Sequence, residues 1–114
     1  MGFKSNFNQE SRLCESKKIL SKYPTRIPVI VEKKEDCSFN SITKNKYLVP
    51  KEMLMNQFIF IIRKRIKLNP SESLFVLVNN SLVSSNTNLS EIYEQNKDSD
   101  GFLYMIYTSE NTFG

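Results

Sequence analysis

The chain of 114 residues contains no histidine. That removes Ser-His-Asp and Cys-His catalysis and every His-based metal site. Glycine is scarce, and Gly2, Gly101 and Gly114 lie too far apart to build a phosphate-cradling loop. Cysteine is scarcer still. Cys14 and Cys37 have no metal-type spacing and read as two reduced thiols in a cytosolic protein. No run is long and apolar enough to span a bilayer, and no signal-type apolar segment opens the chain. Met1-Gly2 invites N-myristoylation, but that motif wants Ser or Thr where Asn6 stands. These absences point away from an enzyme: they leave no catalytic residue and no metal ligand to nominate.

What is present is one domain's worth of chain with an uneven charge. Met1 to Leu68 holds 15 basic and 6 acidic residues, a balance of +9; Asn69 to Gly114 holds 1 basic and 6 acidic, a balance of −5. A basic half suits an acidic partner such as a peptide, an anionic lipid surface or nucleic acid. The alternative is a solvated face with no partner. Nucleic acid is not expected, because Glu32, Glu35, Asp36 and Glu52 interrupt the basic run and no RNA-binding signature occurs.

Periodicity and punctuation divide the chain. Phe3 to Lys22 reads as helix, in one piece or two, closed by Tyr23-Pro24. Ile27 to Glu32 is a β-branched strand with Pro28 near its start, where a missing N–H is tolerated. Lys33 to Asn45 is a polar connection, and Tyr47-Leu48-Val49 a short strand closed by Pro50. Lys51 to Leu68 is the strongest helix, with Met55, Ile59, Ile62 and Ile66 on one core-facing stripe. Leu74 to Val78 is a buried strand. Asn79-Asn80 turns into a short return at Leu82-Val83. Asn88 caps a short helix over Leu89 to Tyr93, and Asp100-Gly101 turns into a last strand, Phe102 to Tyr107. Helix, then ββαββαβ, is an α+β order that matches a ubiquitin-like β-grasp with two additional N-terminal helices.

The strongest helix has more apolar face than one sheet needs. Leu54, Phe58 and Ile61 form a second stripe that ends on Arg65. It is either a wide core face or the border of a groove with Arg65 as its charged rim. The chain's last residues, Phe113 and Gly114, raise a similar choice between an arbitrary end and an unhindered carboxylate.

The blocks RIPVIVEK (Arg26 to Lys33), KYLVP (Lys46 to Pro50), QFIFIIRKRI (Gln57 to Ile66), LFVLVNN (Leu74 to Asn80) and DGFLYMIYTSENTFG (Asp100 to Gly114) resemble the autophagy ubiquitin-like modifiers of the GABARAP type. The resemblance covers nearly the whole chain. It implies an N-terminal helical extension over 1–24, a ubiquitin-like domain over 25–107 and a flexible conjugation tail over 108–114, in one structural domain. It implies no cofactor beyond a covalent lipid: Gly114 as the acyl donor to phosphatidylethanolamine, with Phe113 as the residue recognised beside it. Activating and conjugating enzymes and a processing or delipidating cysteine protease are the implied partners. The chain would be cytoplasmic, and membrane-attached on autophagosomes or a related compartment once lipidated.

The same resemblance implies a groove for peptides with an aromatic residue, two spacers, an aliphatic residue and acidic flanks, added as a strand beside KYLVP. Its aromatic pocket would comprise Glu15, Ile19, Pro28, Ile30, Lys46, Leu48 and Phe102. Its aliphatic pocket would comprise Tyr47, Val49, Pro50, Met53, Phe58 and Ile61. Arg26, Lys44, Lys46 and Arg65 would draw the acidic flanks. Core packing is the competing account of Ile30 and Phe58. Leu48→Ala and Phe58→Ala are expected to weaken peptide binding without unfolding the domain. Phe75, Val76 and Leu77 match a second surface used by helical ligands. The chain departs from the family pattern at Gln9, where an aromatic is usual and looser helix docking is expected, at Asn56, and at Val83 and Ser84, which replace prolines.

Overall fold

Asn8 splits the amino-terminal helix in two. Its Oδ1 accepts from the Ser11 amide at 2.8 Å, which satisfies one of the free donors at a helix start. The short α1 (Phe3–Asn6) precedes this cap and α2 (Gln9–Lys22) follows it. The computed structural model describes residues 2–109. It continues through β1 (Arg26–Lys33), β2 (Lys46–Pro50), α3 (Met55–Arg65), β3 (Phe75–Val78), β4 (Ser81–Leu82), α4 (Leu89–Asn96) and β5 (Leu103–Thr108). Element order and α+β class agree with the sequence reading.

The five strands form one mixed sheet in the order β2-β1-β5-β3-β4. β1 and β5 pair in parallel at its centre, and the other pairs are antiparallel. A central strand is covered on both faces, which is why Ile27 to Val31 reads as an unbroken apolar run and is buried throughout. β2 is one edge of the sheet and β4 the other.

The two faces carry different cores. On one, Met55, Phe58 and Ile62 of α3 and Leu89, Ile92 and Tyr93 of α4 pack on Ile27, Val29 and Val31 of β1 and on Met105 and Tyr107 of β5. On the other, Phe3 closes a smaller cluster over Ile30 and Phe102, with Ile19 and Tyr104 beside it. Each such side chain contributes roughly 1.5–3 kcal/mol of burial before entropy is counted.

α3 is shorter than its periodicity predicts. The segment Lys51 to Leu54 uses its backbone groups on distant partners. Lys51 N–H donates to the Thr25 carbonyl at 3.1 Å, and the Met53 and Lys51 carbonyls accept from Leu89 and Ser90 at 2.8 and 3.0 Å. The helix starts only after these bonds, where the Gln57 Oε1 accepts the Leu54 amide at 2.9 Å. It stops where Lys67 turns left-handed, at φ 55°, and Leu68 N–H reaches back to the Arg63 carbonyl at 3.0 Å.

The other punctuation reads as expected. Asn79 and Asn80 both take positive φ, 51° and 63°, the backbone that a two-residue hairpin turn requires. The Asn88 side chain accepts from the Glu91 amide at 3.0 Å and opens α4.

A buried polar cluster, unforeseen in the sequence, fixes α2 to the turn before β5. Arg12 Nη1 lies 2.5 Å from Asp100 Oδ2, and the Tyr104 hydroxyl donates to the same oxygen at 2.6 Å. Ser16 Oγ donates to the Asp100 carbonyl at 2.5 Å. Gly101 sits at φ +88° with Ser16 Oγ only 2.3 Å from where a Cβ would stand, so position 101 admits neither a side chain nor an ordinary backbone for one.

Candidate functional site: the open edge of the sheet

β2 has one paired side and one open side. Val31 N–H bonds to the Asn45 carbonyl at 2.8 Å and Lys51 N–H to the Thr25 carbonyl at 3.1 Å. An antiparallel ladder alternates, so Tyr47 and Val49 face β1 with their backbone groups, while those of Lys46, Leu48 and Pro50 face outward. Pro50 has no N–H to offer. The edge is therefore short: two residues, Lys46 and Leu48, present both a donor and an acceptor.

Side chains alternate on the same strand. Tyr47 and Val49 point into the main core and are 6% and 4% exposed. Lys46, Leu48 and Pro50 point to the other face and stay half-buried. Residues predicted for the aromatic pocket lie on α2, β1 and β2 and at Phe102: Pro28, Ile30 and Phe102 are buried, and Ile19 and Leu48 are partly open. Phe3, which the sequence reading did not assign to the site, packs against Ile30 and Phe102. Its ring meets Phe102 edge-on at 5.0 Å, and its backbone N–H donates to Glu32 Oε2 at 2.7 Å. Lys46 and Glu15 form an ion pair that links β2 to α2.

The residues predicted for the aliphatic pocket differ in burial. Pro50, Met53 and Ile61 are half-buried, with Met53 and Ile61 packed against the main core. Phe58 is 0% exposed and belongs to the main core, edge-on to Tyr47 at 5.5 Å. Within the second stripe of α3, Phe58 is core, Leu54 and Ile61 are partly exposed, and Arg65 is exposed. The expectation that Phe58→Ala leaves the domain folded is corrected by this burial.

The cations ring the edge unequally. Lys44 Nζ lies 5.2 Å over the Tyr47 ring. Arg26 Nη1 donates to the Leu48 carbonyl at 3.0 Å. The Tyr47 hydroxyl is buried with no hydrogen-bond partner among the described residues; burial raises its pKa, and the facing Arg65 charge only partly offsets that.

Of the residues matched to a second surface, Val76 points into the main core at 3% exposure, and Leu77 is 4% exposed. Phe75 is the member of the three that remains partly open. Gln9, where an aromatic was missed, instead brings its Nε2 to Ser99 Oγ at 3.4 Å. Phe113 and Gly114 lie outside the described residues. Among the described residues no helix is long and apolar enough to cross a membrane.

Comparison with known proteins bears on the family. Residues 11–114 match the family described as autophagy protein Atg8, ubiquitin-like. The chain is 50% identical over 112 residues to autophagy-related protein 8B of Oryza sativa subsp. indica, covering 98% of this chain and 94% of that one. It is 50% identical to autophagy-related protein 8c of Arabidopsis thaliana, covering 98% and 94%. It is 47% identical to autophagy-related protein 8 of Schizosaccharomyces pombe, covering 98% and 93%. A family match over most of the chain, near-complete coverage of such relatives and an α+β sheet with two leading helices lead to one conclusion: the chain belongs to the Atg8 family of autophagy ubiquitin-like proteins.

Proposed function

We propose that the chain is a modifier joined through Gly114 to phosphatidylethanolamine, and that its open sheet edge recruits peptide-bearing receptors to autophagosomal or related membranes. In this reading the Gly114 carboxylate attacks ATP to give an acyl-adenylate and pyrophosphate. An enzyme cysteine then takes the acyl group as a thioester and AMP leaves. The lipid amine finally displaces the thiol and an amide forms. Glycine suits the role because it offers an acyl carbon with no side chain to hinder attack.

The observation that carries the recruiting half is the β2 edge. Two outward-facing backbone positions, at Lys46 and Leu48, lie near the partly exposed apolar side chains of Ile19, Leu48, Met53 and Ile61, with Arg26, Lys44, Lys46 and Arg65 on the same elements or beside them. A short extended peptide with aromatic and aliphatic anchors and acidic flanks fits that chemistry. Two anchors at roughly 1.5–3 kcal/mol each, less ordering costs, predict moderate and reversible binding.

Reconstitution tests the conjugating half. The chain is incubated with the activating enzyme, the conjugating enzyme, ATP and vesicles containing phosphatidylethanolamine. A lipid adduct that is lost in Gly114→Ala is expected. No adduct, or the same adduct in Gly114→Ala, overturns that half and leaves an unconjugated peptide-binding adaptor.

A further inference from the structure

We propose that Arg26 is a built-in cap on the peptide-accepting edge, and that an acidic ligand flank is what removes it. The proposal rests on the reading of β2 as the docking edge.

The Leu48 carbonyl is an outward-facing acceptor, because Leu48 sits opposite Pro28 at a position of the ladder that does not bond to β1. A peptide strand adding to this edge needs such an acceptor for one of its own amides. The acceptor is already engaged: Arg26 Nη1 holds it at 3.0 Å. Pro50 supplies no donor, so the usable edge is two residues long and the cap occupies one of its two central acceptors.

Competition can release the guanidinium. A carboxylate on the ligand binds a guanidinium by two parallel, charge-assisted hydrogen bonds, which outweigh one bond to a neutral carbonyl. An acidic flank would therefore draw Arg26 away and free the Leu48 carbonyl for the peptide backbone in the same event. A peptide without the acidic flank must share the carbonyl with Arg26, which weakens each bond, or displace it and gain nothing in return. One residue would thus couple flank charge to strand pairing and turn a weak electrostatic preference into selectivity. In the unliganded chain the same cap blunts an open edge that could pair with another copy.

The test uses two peptides with one aromatic-x-x-aliphatic core, one flanked by glutamates and one by serines. Each is titrated calorimetrically into the full chain and into Arg26→Ala. Arg26 is exposed, so the variant keeps its fold. The proposal expects the serine-flanked peptide to bind Arg26→Ala about two- to fivefold tighter than the unaltered chain, the release of one exposed hydrogen bond. It expects the glutamate-flanked peptide to bind the variant more weakly. If the glutamate-flanked peptide weakens while the serine-flanked one is unchanged or weaker, Arg26 is a charge contact alone and the cap is refuted. If neither peptide binds the unaltered chain, the docking edge itself is wrong and the cap falls with it.

Discussion

Leu48 and Phe58 show how much a pocket residue's burial decides. Leu48 stays partly open on the edge strand, and Phe58 is sealed under Tyr47 in the main core. Leu48→Ala is expected to change stability by less than about 1 kcal/mol and to weaken a glutamate-flanked peptide about tenfold. Phe58→Ala is expected to cost about 3–5 kcal/mol of stability, so its effect on binding is inseparable from loss of fold. Thermal melts and calorimetric titration read the two, and full affinity in Leu48→Ala would move the ligand elsewhere. Tyr107 makes a different prediction. Burial pushes its pKa up from 10.0 to about 12, and its hydroxyl donates to the Asn40 carbonyl at 2.5 Å. A raised folded pKa gives stability that is whole below pH 10 and is lost as pH climbs toward 12, where the unfolded chain ionises first. The unfolding midpoint should therefore drop across that window, and less steeply in Tyr107→Phe. Equal slopes in both proteins would contradict the assignment.

Elements in this chain are held by contacts of unequal depth. α1 and α2 reach the turn before β5 through two ion pairs. Arg12–Asp100 is buried, with side-chain exposures of 9% and 0%. Lys4–Asp98 is not, at 51% and 25%. A buried carboxylate with several donors leaves them all unsatisfied when removed, whereas an exposed pair is worth at most about 1 kcal/mol. Asp100→Ala is thus expected to lower the unfolding midpoint well beyond Lys4→Ala and to speed hydrogen exchange in α2; similar shifts in the two variants would overturn that ranking. This cluster also marks a limit of reading elements from sequence. Helix stripes, the Asn88 cap and the Asn79-Asn80 turn are local patterns, and each was legible; the Asn8 cap is equally local but was not read. Arg12 and Asp100 are 88 residues apart, and no local pattern joins them. The first turn of α3 was misread for the same reason: Lys51 to Leu54 looks helical by composition, but its backbone bonds go to Thr25, Leu89 and Ser90. The candidate site was legible only in part. Strand alternation separates Lys46, Leu48 and Pro50 from Tyr47 and Val49, but the packing of Phe3 against Ile30 and Phe102 depends on how α1 docks.

At the scale of the whole molecule, the basic half of the sequence and the open edge of the sheet coincide. Arg26, Lys44 and Lys46 lie on or beside the two strands that form the edge, and Arg65 ends the helix across the groove. A long-range attraction for acidic partners follows from that placement, so the affinity for a glutamate-flanked peptide should fall as salt rises, and that for a serine-flanked one should change little. Equal salt dependence for the two would detach the charge from the groove. The proposed conjugating end, Phe113-Gly114, was read from sequence and resemblance and lies beyond the described residues. The central claim joins that end to a membrane, and intact-mass analysis of the membrane-bound chain isolated from cells tests it most directly. The account predicts a chain ending at Gly114 with phosphatidylethanolamine in amide linkage. A membrane-bound chain with a free Gly114 carboxylate and no lipid would contradict it.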